Sequence, residues 1–285
     1  MEVDTLEDRA LKAMQNLRQN CIQGFGKTEQ QRKPSDGTRA STIVTELDKL
    51  IQTEIVKAIA GFADQLKLVA EETDQSEFMQ IMKTNEKAEW LLMLDPLDGT
   101  YGYSIGKSNN YGIIFGLAKR VAEDEAKLKR ALIYYPHHNS LIRCNDFGVF
   151  REKPGSIEKL KPATTDDSAY HTFFQYTLKR LGLPNSSEVV FDLYSVAEML
   201  RLLFRCEIPG FLSAKGHHYD NSVALWIAQR AGYDLSYGDG SKFKPVVPFL
   251  TQTANSRNEK GLIIAGNRQH AHFQQYLREY KEKPL

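Results

Sequence analysis

Hydrophobic positions in the first sixty residues recur at helical spacing. Leu6, Ala10, Met14, Leu17 and Cys21 follow one another at steps of three or four. That spacing predicts an amphipathic helix over 5–24, ended by Gly24-Phe25-Gly26. The polar, basic stretch 27–41 carries Pro34 and Asp36-Gly37 as turn signals. Ile43-Val44-Thr45 reads as a short extended piece. Leu47, Leu50, Ile51, Ile55, Ala58 and Ile59 share one face of a second helix, about 48–60. The period then changes. Leu66 to Ala70 and Trp90 to Leu94 are short apolar runs, the pattern of strands buried on both faces, with a polar, helix-like segment between them.

Further strands are predicted at Tyr111–Ala118 and Ala131–Tyr135 around a charged loop, 119–129. Leu141–Arg143 and Gly148–Phe150 extend the sheet as hairpins. From about residue 159 the pattern predicts a helix over 171–182, a strand led in by 187–191, and a helix over 196–204. An apolar helix over 223–231 follows directly after Asp220. A late strand at Gly261–Ala265 and a final helix bearing Phe273, Tyr276, Leu277 and Tyr280 complete the chain. Strands and helices mixed in both halves predict a layered α/β or α+β fold. One domain over 1–285 is expected, in two intimate halves of about 1–158 and 159–285, the second contributing Asp220.

Composition narrows the function. With 41% hydrophobic and 26% charged residues and a net charge of +1, the chain has no global charge to attract a nucleic acid polymer or an anionic membrane. Its three cysteines are scattered without C-x-x-C spacing, which argues against a disulfide framework and a zinc site. The acidic start, Met1-Glu2-Val3-Asp4, is not a signal peptide. No apolar run reaches the ~18 residues of a membrane span. The expected compartment is the cytoplasm.

The chemistry concentrates where the two apolar strands end. The first ends on Glu71-Glu72, the second on Asp95-Pro96-Leu97-Asp98-Gly99-Thr100. Strand ends are where open α/β sheets place their sites. Two carboxylates ~4 Å apart repel by roughly 4 kcal/mol at an effective dielectric of 20, so a converged cluster needs a cation or a captured proton. Oxygen-only ligands select a hard ion, Mg²⁺ or Mn²⁺. Paired ions can activate a water and neutralise a leaving oxygen. Gly99 and Thr100 offer backbone N–H groups for a phosphate at a tight turn. Taken singly, each piece also has a plain structural role: Asp98-Gly99 as a turn, Glu71-Glu72 as a solvated pair, Asp220 as a helix cap.

The segment from Trp90 to Thr100 resembles the first signature of the inositol monophosphatase family, a group of Mg²⁺-dependent, lithium-sensitive phosphatases of small metabolites. The likeness extends along the chain in order. Thr45 and Asp48 match the family's Thr-x-x-Asp, Ala70-Glu71-Glu72-Thr73 its Gly-Glu-Glu-Ser, Tyr219-Asp220 its second signature, and Ile263–Asn267 its closing strand. The resemblance implies an α-β-α-β-α sandwich of the sugar phosphatase type, a homodimer, and a small phosphorylated metabolite as substrate. It implies two or three Mg²⁺ ions, with Mn²⁺ as a substitute. Glu71, Asp95 and the Leu97 carbonyl would bind a first ion, Asp95, Asp98 and Asp220 a second, and Glu71 a third. Asp48 and Thr100 would activate the attacking water, and the Gly99 and Thr100 amides would hold the phosphate.

The chain departs from the family pattern around the second signature. Tyr219 replaces a Trp, Ser222 and Val223 stand where small residues are usual, and Thr100 is followed by Tyr101-Gly102-Tyr103 instead of Asn-Phe. Ser213 occupies the place of a Glu that binds sugar hydroxyls in inositol-specific members. Lys215, His217 and His218 are open to two readings, contacts to a second phosphate or base, and solvated loop. The substrates to weigh are therefore an inositol monophosphate, a 3′(2′),5′-bisphosphate nucleotide and, third, a sugar bisphosphate. A non-catalytic metal- or ligand-binding relative is the reading of another class. An aspartyl-phosphate phosphatase is disfavoured, because Asp95 precedes Asp98 by three residues where that chemistry needs two.

Overall fold

The first helical stripe folds as two helices, α1 (Val3–Asn16) and α2 (Arg18–Gly24), broken at Leu17. Leu6, Ala10 and Met14 are buried along α1 as their spacing requires. A computed structural model describes residues 2–32, 43–72, 77–162, 170–172, 189–192, 195–208, 210–214, 217–237, 240–249 and 262–266. Two short strands, β1 (Gln31–Arg32) and β2 (Ile43–Val44), pair antiparallel. They lead into α3 (Glu46–Ala58), which packs beside α1.

The main sheet has the order β3-β4-β5-β6-β7-β8-β9. Its strands are β3 (Leu66–Ala70), β4 (Trp90–Asp98), β5 (Gly112–Ala122), β6 (Glu125–Tyr135), β7 (Ser140–Asn145), β8 (Gly148–Lys153) and β9 (Ser156–Lys159). α4 (Glu77–Lys83) and the short α5 (Thr100–Ser104) flank β4. β3 and β4 are parallel and the remaining neighbours antiparallel. Both faces are covered, hence the apolar runs. Lys67 within β3 is an exception, and its buried ammonium is held by Glu86 at 2.7 Å and by the Phe249 carbonyl.

A second sheet has the order β11-β10-β12-β15-β13. It comprises β10 (Tyr170–Thr172), β11 (Val189–Asp192), β12 (Gly210–Ala214), β13 (Asp234–Tyr237) and β15 (Leu262–Gly266), while β14 (Val246–Val247) joins the main sheet at β6. Two helices, α6 (Val196–Phe204) and α7 (Val223–Ala231), lie between the sheets. Their buried residues share one core with Met93 and Ile114 of the main sheet and Phe211 and Leu235 of the second. A separate core joins α1 and α3 to the opposite face of the main sheet. The described layers therefore run helix, sheet, helix, sheet, the α/β architecture expected.

Two expectations need correction. The charged stretch 119–129 is not a loop: β5 and β6 continue through it to a turn at 123–124. Along β6, Ala126 and Leu128 are buried while Glu125 and Lys127 are exposed, so a one-sided strand alternation was concealed by charge density. The helix over 171–182 fails at its start, where Tyr170–Thr172 pairs as a strand. The rest of that segment and the final helix over 273–280 lie outside the described residues. No helix among the described residues is long and apolar enough to cross a membrane.

Candidate active site

Two parallel strands deliver the acidic residues to one edge of the main sheet. Ala70 of β3 is opposite Leu94 of β4, and the Glu71 amide extends the ladder by donating to the Leu94 carbonyl at 3.1 Å. Glu71 thus comes beside Asp95, and the two side chains are in hydrogen-bonding contact. Alternation along β4 sets the faces. Leu91 and Met93 turn toward α6 and α7, and Leu92 and Leu94 toward α1 and α3. Asp95 has the parity of Met93. In a regular strand Asp98, three residues on, would face the other way. The ladder instead shifts register between Asp95 and Asp98, and one extra residue reverses the faces beyond it. Leu97 consequently enters the core beneath α1 and α3, and Asp98 joins Asp95.

The turn after Asp98 depends on Gly99, whose φ of +94° is left-handed. A Cβ there would also lie 2.8 Å from the Ser195 Cβ. Asp220 arrives from the middle layer, on the helical turn His218–Ser222 that leads into α7. Close approach of that helix requires Gly116 of β5, since a Cβ there would stand 2.5 Å from Val223 Cγ2. Together these features bring Asp95, Asp98 and Asp220 to present carboxylate oxygens within 4.8 Å of one another.

Asp48 approaches from the opposite face. It sits in the first turn of α3, where its Oδ2 accepts from the Thr45 amide at 2.8 Å and the Thr45 hydroxyl at 2.5 Å. The bond from the Thr45 amide is one half of a capping box, whose other half directs the Asp48 amide at the Thr45 side chain. Its Oδ1 faces the Thr100 hydroxyl at 2.9 Å, and the same hydroxyl reaches the Leu97 carbonyl at 2.8 Å. Of the residues the family pattern singled out for substrate choice, Ser213 lies on β12 opposite Ile263, and Lys215 is outside the described residues. The His217 ring stacks on Tyr219 at 4.9 Å, the planes 10° apart.

One participant was missed. Asp98 Oδ2 accepts from the Ser195 hydroxyl at 2.6 Å and the Ala197 amide at 2.6 Å, at the N-terminus of α6. Ser195 Oγ in turn accepts from the Glu198 amide at 2.9 Å. The spacing Ser195-x-x-Glu198 was readable as a helix start, but its contact with Asp98, 97 residues earlier, is purely tertiary. Gln52 is a second such residue. It exchanges hydrogen bonds with the Glu72 backbone at 3.0 and 3.1 Å, fastening the end of β3 to α3.

Burial and mutual repulsion dominate the electrostatics. Burial, then the charges of Glu71, Asp98 and Asp220, hold Asp95 well above the usual carboxylate range. Asp220 is raised by burial and then by Asp98. Asp98 is raised by burial, although the Ser195, Ala197 and Val196 donors oppose the shift. Burial, and secondarily Glu71, push Asp48 up to about 6 against the hydrogen bonds from Thr45 and Thr100. Three clustered carboxylates with only oxygen donors fit a hard divalent cation, which would remove the strain of ionising them together.

A stability prediction follows. These carboxylates hold protons more tightly folded than unfolded, so without a cation the fold loses stability as pH rises from near 4 through about 6 and beyond. A Mg²⁺ ion held by these carboxylates would favour the ionised form and offset that loss. The rise in melting temperature on adding Mg²⁺ is therefore expected to be larger at pH 8 than at pH 5, measured by thermal unfolding. An equal or larger rise at pH 5 would contradict the assignment.

Fold and site together define a layered α/β protein with an acidic, metal-competent centre on a sheet edge. The model of the inositol monophosphatase family matches residues 2–272. The chain belongs to that family, and its family-level activity is Mg²⁺-dependent phosphate-ester hydrolysis. Solved structures agree in fold. A Thermotoga maritima IMPase is 18% identical with a TM-score of 0.69, covering 96% of this chain and 97% of its own. The extragenic suppressor protein suhB from Bartonella henselae is 15% identical with a TM-score of 0.70, covering 98% and 99%. An IMPase/NADP phosphatase complexed with Mg²⁺ and phosphate is 17% identical with a TM-score of 0.68, covering 97% and 94%. No curated protein sequence matches.

Proposed function

We propose that the chain hydrolyses a small phosphomonoester of the inositol monophosphate type at the Asp95 centre. The observation that carries the proposal is convergence: Asp95, Asp98 and Asp220 meet within 4.8 Å, directly beside the Thr100–Asp48 pair at 2.9 Å. Glu71, Asp95 and the Leu97 carbonyl would hold one Mg²⁺, and Asp95, Asp98 and Asp220 another, with Glu71 serving a third. Mn²⁺ fits the same oxygen donors. Bound ions would supply the positive charge that offsets the phosphate and leaving oxygens.

The chain's own groups do the rest. The Thr100 hydroxyl carries one proton and has two acceptors in reach, Asp48 Oδ1 and the Leu97 carbonyl. With its proton directed to Asp48, the Thr100 oxygen is left to accept from the attacking water. Thr100 takes the water proton and passes its own to Asp48, a relay suited to a carboxylate raised to about 6. The Gly99 and Thr100 amides hold the phosphate at the start of α5.

A second reading, a 2′- or 3′-phosphorylated adenine nucleotide, is favoured by Ser213 replacing the Glu of inositol-specific relatives. The similar IMPase/NADP phosphatase, whose structure was solved with NADP, also supports it. The family resemblance further suggests a homodimer and lithium inhibition.

The test is phosphate release from inositol 1-phosphate, 3′-phosphoadenosine 5′-phosphate, NADP and fructose 1,6-bisphosphate, with and without Mg²⁺. Mg²⁺-dependent release is expected, greatest from the inositol ester. Preference for a nucleotide would select the second reading. No release from any ester, despite tight Mg²⁺ binding, would leave a non-catalytic relative.

A further inference from the structure

α6 carries a second site of opposite charge beyond its grip on Asp98. A cavity of about 660 Å³ lies between its C-terminal half and strands β6 to β9. Four cations line it, Arg151, Lys153, Arg201 and Arg205, against one carboxylate, Glu158. Glu158 pairs with Arg151 at 2.6 Å, and Arg205 with Glu207 at 2.5 Å. Arg201 donates to a neutral acceptor, Asn110 Oδ1 at 2.8 Å, and among the described residues forms no ion pair, with Glu207 acting on it only at longer range. Among the described residues Lys153 has no ion-pair partner.

Burial, and secondarily the neighbouring cations, shift the cavity's own groups. His138, at the wall, is lowered to about 4 by burial and then by Arg201, His137 and Arg205. Burial and then Arg205 likewise lower Arg201. Glu158 and Glu207 match two of the four cations, and the surplus left by Arg201 and Lys153 is an arrangement that an anion relieves. Guanidinium forks suit phosphate oxygens, which they bind through paired hydrogen bonds. The volume falls within the ~300–1,000 Å³ of small-molecule sites.

We propose that this cavity binds a small polyanion carrying two or more phosphate-class groups. The site is distinct from the metal centre. Arg201 lies six positions beyond Ser195, the residue that caps α6, a helix rise of ~9 Å, and the two centres have opposite charge. The proposal does not depend on the phosphatase reading, and either can fail alone.

Cys206 lies on the cavity wall and is exposed, whereas Cys21 and Cys144 are buried. A native thiol therefore reports occupancy. The experiment measures iodoacetamide alkylation of Cys206 in the full chain, stripped of metal on a chelating resin, with pyrophosphate as probe and chloride matching ionic strength. Pyrophosphate at ten times its dissociation constant is expected to slow alkylation by about tenfold, by mass action. Protection should vanish in Arg201→Gln, weaken in Lys153→Gln, and persist in Asp95→Asn. Circular dichroism checks that each variant is folded. Absence of protection in the wild type would overturn the proposal. So would protection that survives both cavity variants, or that is lost in Asp95→Asn. Slow alkylation that accelerates on dilution would place a second copy over the cavity and overturn it too.

Discussion

Replacing Asp95 by asparagine is expected to lower kcat/KM for Mg²⁺-dependent phosphate release by about 10³-fold or more. A cation in the active site contributes several kcal/mol of charge stabilisation, and ~4 kcal/mol corresponds to roughly 10³ in rate. Asp95 is the carboxylate common to both proposed ion positions. Asparagine keeps its shape, and its Oδ1 can still accept from the Leu97 amide, a bond of 3.0 Å in the wild type. The turn should therefore survive. Stability should move the other way. Asp95 is raised by burial and by the charges of Glu71, Asp98 and Asp220, so removing its charge relieves the metal-free fold at pH 8. Activity and Mg²⁺ affinity should fall while the metal-free melting temperature at pH 8 rises. A variant retaining activity within tenfold of wild type, or melting lower without metal, would remove Asp95 from the proposed role.

Much of this centre was legible in the sequence, for a specific reason. Buried parallel strands write themselves as apolar runs, and carboxylates that end two such runs mark the end of a sheet where sites are placed. That marked Glu71, Asp95 and Asp98 as carboxylates that could converge. The family motif then added Asp48 and Asp220, which local pattern alone cannot link to β4. The same physics explains what was unreadable. The face of Asp98 depends on a register shift at Pro96 and Leu97, and strict alternation would have turned it away from Asp95. The Ser195-x-x-Glu198 spacing can signal only a helix start, and packing alone shows the Ser195 hydroxyl on Asp98. Gly116 carries no signal of its own within an apolar strand, yet its missing side chain admits Val223 and hence Asp220. The charged stretch 119–129 misled because its alternation was masked by lysines and glutamates. The basic cavity beside α6 draws on residues from 135 to 206, which no single stretch of sequence displays.

Removing the Thr100 hydroxyl tests the relay itself. Thr100→Val preserves the branched shape at a buried position and is expected to lower kcat by about 10²–10⁴, the range for general acid–base groups. KM and the Mg²⁺ dependence should change little, because the metal-holding carboxylates are untouched. Thr100→Ser restores the hydroxyl and should recover most of the rate. The loss also has a pH signature. The Thr100 hydrogen bond is one of the interactions lowering Asp48 against burial, so without it Asp48 rises further above about 6. Residual activity should then fall off at a higher pH on the acid side than in wild type. Asp48→Asn should match Thr100→Val in kcat. If the two residues hand on one proton, the double variant should lose scarcely more than either single variant, since groups acting as a unit are strongly non-additive. Multiplied losses in the double variant would mean that Thr100 and Asp48 act separately, and that the 2.9 Å contact between them is structural support for the turn after Asp98.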